Sequence, residues 1–232
     1  MLIDHITELF VPKDFGFLFH LTLGNYERDI TLYVLGRVIG RIAFPLFAFL
    51  IVQGFLHTSN LKRYMLRLGI FALLSEIPFD FAFWGFPNTT FLFYRQNIFF
   101  TLLLGLIAIA LLDQIHKNYQ GQPLFMNVLM IVVILAACFT LITIRGSYLD
   151  YGYGILVIVA FYFGRQSRNV SVLLFILITG FLFGDIQLMA ILAAPFIYLY
   201  NGEKGPSCKY AFYAFYPVHL VILRLISLSL VG

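Results

Sequence analysis

Two histidines and a small set of ions sit where the surrounding sequence is apolar. His5 in "LIDHI" and His219 in "FYPVHLVIL" are flanked by hydrocarbon side chains. A neutral imidazole near pH 7 can take a proton from a nucleophile or carry an acyl group. Arg37 and Arg41, in "LGRVIGRIAFPLFAFLIVQGF", are four residues apart and therefore share a helical face. Glu76 and Asp80 of "SEIPFD" share another. A charge at membrane depth costs roughly 2.5–3.5 kcal/mol on insertion scales, so retained ions need a partner, a wet cavity or a reaction. The residues admit two readings. Arg37, Arg41, Glu76 and Asp80 form ion pairs that lock neighbouring helices, or they serve a site with His5 and the adjacent Asp4. Adjacent helical positions point in different directions, so Glu76 or Asp80 from across the bundle suits His5 at least as well as Asp4. His20, His57 and His116 fall in loops or at helix ends and read as solvated. Pro217, two residues before His219, removes one helical hydrogen bond and frees a backbone carbonyl.

The elements that hold these groups are transmembrane helices. Of 232 residues, 61% are hydrophobic and 11% charged, with 27 Phe, and the mean hydropathy is +0.92; that balance excludes an ordinary soluble domain. Long apolar runs with short polar breaks, without the ten-residue alternation of a barrel, predict helices near 1–12, 30–57, 63–84, 97–115, 124–144, 150–163, 170–183, 186–200 and 210–231. The expected fold is all-α, a polytopic bundle of about eight to nine helices forming one domain over residues 1–232. The first segment is shorter than the roughly 20 residues a crossing needs, so it reads as incomplete.

Basic residues in short loops set orientation. Lys62, Arg63, Lys117, Arg165, Arg168, Lys204 and Lys209 fall in alternate loops, against Lys13, Arg28, Arg95 and Arg145 in the others. The first set is expected inside. Residues 11–30 and 85–96 are then outside, "NGEKGPSCK" is cytoplasmic and the C-terminus is outside. On that topology Arg37, Arg41, Glu76, Asp80, Gln96, Asn97, Thr101, Asp150, Tyr153, Asp185 and Gln187 gather with Asp4 and His5 toward the outer half.

The formal charge of +4 is spread between apolar runs, so nucleic acid is not an expected partner. Cys138 and Cys208 show no metal or disulfide spacing. "MLIDHITELF" lacks the features of a signal peptide. "YNGEKG" (200–205) lacks the ending of a phosphate-binding loop and reads as a tight cytoplasmic turn, although with Lys62, Arg63, Lys204 and Lys209 it also suits an anionic ligand. No internal repeat is visible, which disfavours the common secondary-transporter plans. The two Asn-x-Ser/Thr matches, at Asn88 and Asn169, are short enough to arise by chance.

Taken in order, "LIDHI", "GRIAFPLFAFLIVQGF", "SEIPFD", "RQNIFFTLLLG", "YGYGIL", "YNGEKG" and "FYAFYPVHL" resemble the TraX family of conjugal-transfer membrane proteins, from about Leu2 to Leu225. More distantly, "FPLFAFLIVQGF" after a histidine-bearing helix is similar to the transmembrane acyltransferases. The resemblance implies an acetyl-CoA-dependent acetyltransferase of the bacterial inner membrane, acting on an amine such as the N-terminus of pilin. By the same match His5 corresponds to the histidine of the family's "DH", Arg37 and Arg41 to its "GR…R" stretch, Asn97 to its asparagine and His219 to the histidine of "FYxxHL". Two departures stand out: the family's longer apolar lead before "DH" is missing, and Gln53 stands where many relatives carry Glu.

The expected mechanism follows from that implication. Lys204, Lys209, Asn201, Lys62 and Arg63 contact cytosolic coenzyme A, and its pantetheine arm threads the bundle. His5 is the base, oriented by Asp4 or a carboxylate of segment 63–84. Arg37, Arg41 or Asn97 faces the oxyanion, and His219 positions substrate or acts as a second base. Glu76 and Asp80 are expected in supporting ion pairs, and no metal is expected. The acceptor is a pilin-like N-terminus or a sugar, reached from outside or from membrane lipid. One-step transfer and an acetyl-histidine intermediate both fit. Two other classes use the same ions: a transporter or flippase, and a noncatalytic assembly factor.

Overall fold

The computed structural model describes residues 1–23, 26–84, 96–145, 152–182, 185–203 and 209–231. It is an all-α bundle with one small hairpin. Helix α1 (Leu2–Phe10) is followed by strands β1 (Phe17–Leu23) and β2 (Tyr26–Thr31), then α2 (Leu32–Arg41), α3 (Ala43–His57), α4 (Leu61–Trp84), α5 (Ile98–Asn118) and α6 (Pro123–Arg145). The chain continues through α7 (Tyr153–Phe163), α8 (Arg168–Leu182), α9 (Ala194–Tyr198) and α10 (Lys209–Val231).

Three departures from the expected elements have local causes. Strands Phe17–Leu23 and Tyr26–Thr31 form an antiparallel pair with Phe19 opposite Ile30 and His20 opposite Asp29, where an outer loop is expected from the sequence. The sequence signal was there: Gly24-Asn25 separates two runs rich in aromatic and β-branched residues, which is hairpin chemistry. Segment 30–57 is not one helix, because Pro45 has no N–H to offer the carbonyl of Arg41, and α2 gives way to α3 at Ile42. Segment 186–200 is mostly a 3-10 helix, Asp185–Ala193, followed by a short α9 that begins at Ala194 with Pro195 in its first turn.

Segments Leu32–His57, Ile98–Asn118, Pro123–Thr143 and Ala211–Leu230 are long and apolar enough to cross a membrane. Helix α4 is as long, but it carries Lys62, Arg63, Arg67, Glu76 and Asp80. The chain is a membrane protein. Exposed side chains such as Leu73, Leu74 and Ile77 on α4, Ile131, Val132, Leu135 and Phe139 on α6, and Phe181 on α8 suit a hydrocarbon solvent. The core centres on α7, whose Ile155, Val157, Ile158, Phe161 and Tyr162 are fully enclosed by α3, α5, α6 and α8. Close approach there needs glycine: a Cβ on Gly105 would enter the space of Ile158, and one on Gly154 that of Thr101. Helices α4 and α10 lie side by side in the same direction, with Phe71 stacked on Tyr213 at 4.8 Å and, ten residues on, Phe81 beside the Arg224 guanidinium.

Candidate active site

Helix α1 brings its groups to the bundle by packing against α2. Residues 36–40 read G-R-V-I-G, a small-xxx-small pattern that lets helices approach closely. Thr7 sits over Gly36 and Asp4 over Gly40, leaving no room for a Cβ at either. This contact separates the two arginines. Arg37 Nη1 meets Asp4 Oδ1 at 2.8 Å and Glu8 Oε2 at 3.2 Å, and the Tyr33 hydroxyl donates to the same Glu8 oxygen at 2.8 Å. Arg37 is therefore neutralised by α1. Arg41, one turn on, donates instead to Gln187 Oε1 at 3.4 Å and lines a cavity.

His5 and His219, 214 residues apart in sequence, are joined: His5 Nδ1 lies 2.8 Å from His219 Nε2, with the rings 4° from parallel. His219 Nδ1 lies 2.7 Å from the Phe215 carbonyl oxygen. A carbonyl only accepts, so His219 Nδ1 carries hydrogen, and in the neutral ring Nε2 is then an acceptor. His5 Nδ1–H must donate to it. The lone pair of His5 is left on Nε2. Phe83 and Tyr216 present ring edges to His5, Phe215 stacks on His219, and His219 is only 5% exposed. The expectation that Asp4 orients His5 is corrected: His219 holds the Nδ1 side, and Asp4 is held by Arg37.

His5, Asp4 and Arg41 line a cavity of about 190 Å³ with Phe79, Gln96, Thr101, Tyr153 and Gln187. A second cavity of about 350 Å³ is apolar and shares Met1, Ile98 and Tyr216 with the first. Its walls include Phe47, Leu50 and Ile51 of α3, Tyr64 and Leu68 of α4, Leu102 of α5 and Phe212 and Tyr213 of α10. Their linings together extend from Tyr64 on α4 and Phe212 on α10 to His5.

Other expectations are revised. Asn97 is fully buried and caps α5 through Phe99 N–H, while its Nδ2 donates to Glu76 Oε2 at 2.6 Å and to the Ala72 carbonyl at 2.7 Å. Both amide hydrogens are committed, so Asn97 has no donor left for an oxyanion. It ties α5 to α4. Glu76 is accordingly held by Asn97, whose backbone N–H also donates to it at 3.2 Å. Asp80 is 8% exposed and, among the described residues, neither carboxylate oxygen has a hydrogen-bond partner, so the ion pair expected for it is not seen there.

Lys62 and Arg63 are exposed at the start of α4, and Asn201 closes a local turn with Glu203. Lys204 lies outside the described residues, as do the side chains of Lys209, Asp150 and Asp185. Among the described residues no group of acidic, His or Cys side chains could hold a metal ion. Sequence reasoning missed Glu8 and Tyr33, the second tier around Arg37. Their spacing was a readable signal, since Asp4 and Glu8 are four apart on α1 as Tyr33 and Arg37 are on α2.

A probable fimbrial assembly protein FimC, serogroup H1, from Dichelobacter nodosus is 29% identical over 211 residues, covering 81% of this chain and 80% of the relative. No solved structure matches. A family model described as TraX protein matches residues 1–227, nearly the whole length, and the chain belongs to that family.

Proposed function

We propose that the protein is a membrane-embedded acyltransferase that moves acetyl from cytosolic acetyl-CoA to an amine or hydroxyl at the outer side of the bacterial inner membrane, with the C-terminus outside. The observation that carries this reading is the His5–His219 pair, which leaves His5 Nε2 as a free base at a polar cavity also lined by Arg41. His5 Nε2 takes the acceptor's proton as the acceptor attacks the thioester carbonyl. Arg41 meets the negative oxygen of the tetrahedral intermediate. Collapse expels the coenzyme A thiolate, which takes the proton back from His5, so the base is restored. Throughout, His5 Nδ1–H keeps its hydrogen bond to His219. Attack by His5 Nε2 itself, giving an acetyl-histidine, uses the same groups.

The apolar cavity suits the pantetheine arm, because it meets the polar one at Met1, Ile98 and Tyr216. The relative's description as a fimbrial assembly protein favours a pilin-type N-terminal amine over a sugar as acceptor. The test is to incubate membranes with isotopically labelled acetyl-CoA and identify the labelled product by mass spectrometry. Replacing His5 by Ala should cut labelling by about 10²–10⁴-fold, the usual contribution of a general base. Wild-type labelling in that variant refutes the assignment.

A further inference from the structure

Arg67 lies on α4 between Tyr64 and Leu68, which line the apolar cavity at the end farthest from the histidines. Two tyrosines wall that end. Tyr64 reaches from α4 across to α3, where its hydroxyl stands 2.7 Å from where a Cβ on Gly54 would be. Tyr213 comes from α10 and stacks on Phe71. The Arg67 guanidinium carbon is 6.0 Å from the centre of the Tyr64 ring, and its charge is felt at the Tyr213 phenol. Arg67 is half-buried, and among the described residues its buried Nε–H has no hydrogen-bond partner and no carboxylate pairs with it. A guanidinium beside two phenols, without a counter-ion, is suited to an incoming phosphate, which it can grip through two N–H groups.

The spacing also fits. From Arg67 to Phe79, which lines the histidine cavity, α4 rises about 18 Å. An extended pantetheine arm has the backbone length of roughly four to five residues, about 14–17 Å. We propose that Arg67 is the phosphate anchor of the acyl donor, holding the diphosphate of a nucleotide thioester at the inner mouth of the apolar cavity while the arm lies in that cavity and the thioester reaches His5. The inference rests on the acyltransferase reading and adds the group that distinguishes the whole nucleotide thioester from its bare arm. A phospholipid carries the same phosphate and an apolar chain, but the junction with the histidine cavity favours a donor whose far end reacts.

The experiment compares binding of coenzyme A and of pantetheine, which lacks the phosphates, to the purified full-length protein in lipid nanodiscs. The wild type should prefer coenzyme A by about tenfold or more, as expected for charge-assisted hydrogen bonds. Arg67→Ala should erase that preference while binding pantetheine as the wild type does, which shows that the cavity is intact. Should that variant fail to purify, Arg67→Lys makes the same comparison and should shrink the preference, because the planar fork is lost. A preference that survives in Arg67→Ala, or that is undiminished in Arg67→Lys, overturns the anchor alone. A wild type that binds neither compound overturns the acyltransferase reading and the anchor with it. Phosphatidylglycerol that co-purifies with the wild type and is lost from Arg67→Ala, with the coenzyme A preference unchanged, reassigns the site to lipid and overturns the anchor.

Discussion

Arg37 and Arg41 look equivalent in the sequence, and the structure makes them separable. Replacing Arg37 by Gln removes the cation paired with both Asp4 and Glu8, whose side chains are 20% and 38% exposed. Breaking a buried pair from one side costs about 3–5 kcal/mol. Asp4 keeps some solvent, so about 3 kcal/mol is the better figure for it, and the more exposed Glu8 adds well under about 1 kcal/mol. For a chain of this length each kcal/mol moves the melting midpoint by about 2–4 °C, so Arg37→Gln should melt about 6–12 °C lower. The loss should largely disappear in the triple variant Asp4→Asn, Glu8→Gln, Arg37→Gln, where no unpaired charge remains. Arg41→Gln, which leaves Arg37 paired with Asp4 and Glu8, should melt closer to the wild type than Arg37→Gln does, and should lower acetyl transfer by about 10²-fold. The assays are thermal unfolding in detergent and transfer per folded molecule. Unchanged melting with transfer lost in Arg37→Gln, together with the reverse in Arg41→Gln, would exchange the two roles and refute the reasoning.

Two further outcomes follow from the hydrogen bonds. His219→Gln places an amide oxygen near the position of Nε2 and should retain most transfer, whereas His219→Ala removes the acceptor for His5 Nδ1–H and should lower turnover by about tenfold or more without changing the Michaelis constant; equal losses in both variants would show that His219 does more than accept. Asn97→Ala should cost about 2–4 kcal/mol of stability, from the cap of α5 and the charged bond to Glu76, and leave transfer per folded molecule unchanged; loss of transfer at normal stability would restore Asn97 to the chemistry.

Composition and hydropathy were enough to place the chain in a membrane and to find nearly every helix, because in lipid a helix announces itself by length and apolarity alone. They were also enough to find the polar side chains that line the first cavity, among them Asp4, His5 and Arg41, since an ion or imidazole inside an apolar run is conspicuous wherever it lies. The same uniformity hid the partners. When a helix is apolar all round, hydropathy does not say which face meets which neighbour; small residues and individual hydrogen bonds decide it. The contact of Gly36 and Gly40 with α1 gave Arg37 to Asp4 and Glu8 instead of to α4, and Pro45 broke the ladder just after Arg41. Only the folded chain could join His5 to His219, because nothing in either local sequence encodes the other's tautomer. The sequence by itself determined that protonatable and cationic groups are buried in a helical membrane bundle. Tertiary packing decided which of them are neutralised and which face a cavity, because that depends on distances of a few ångströms between segments that hydropathy treats as interchangeable.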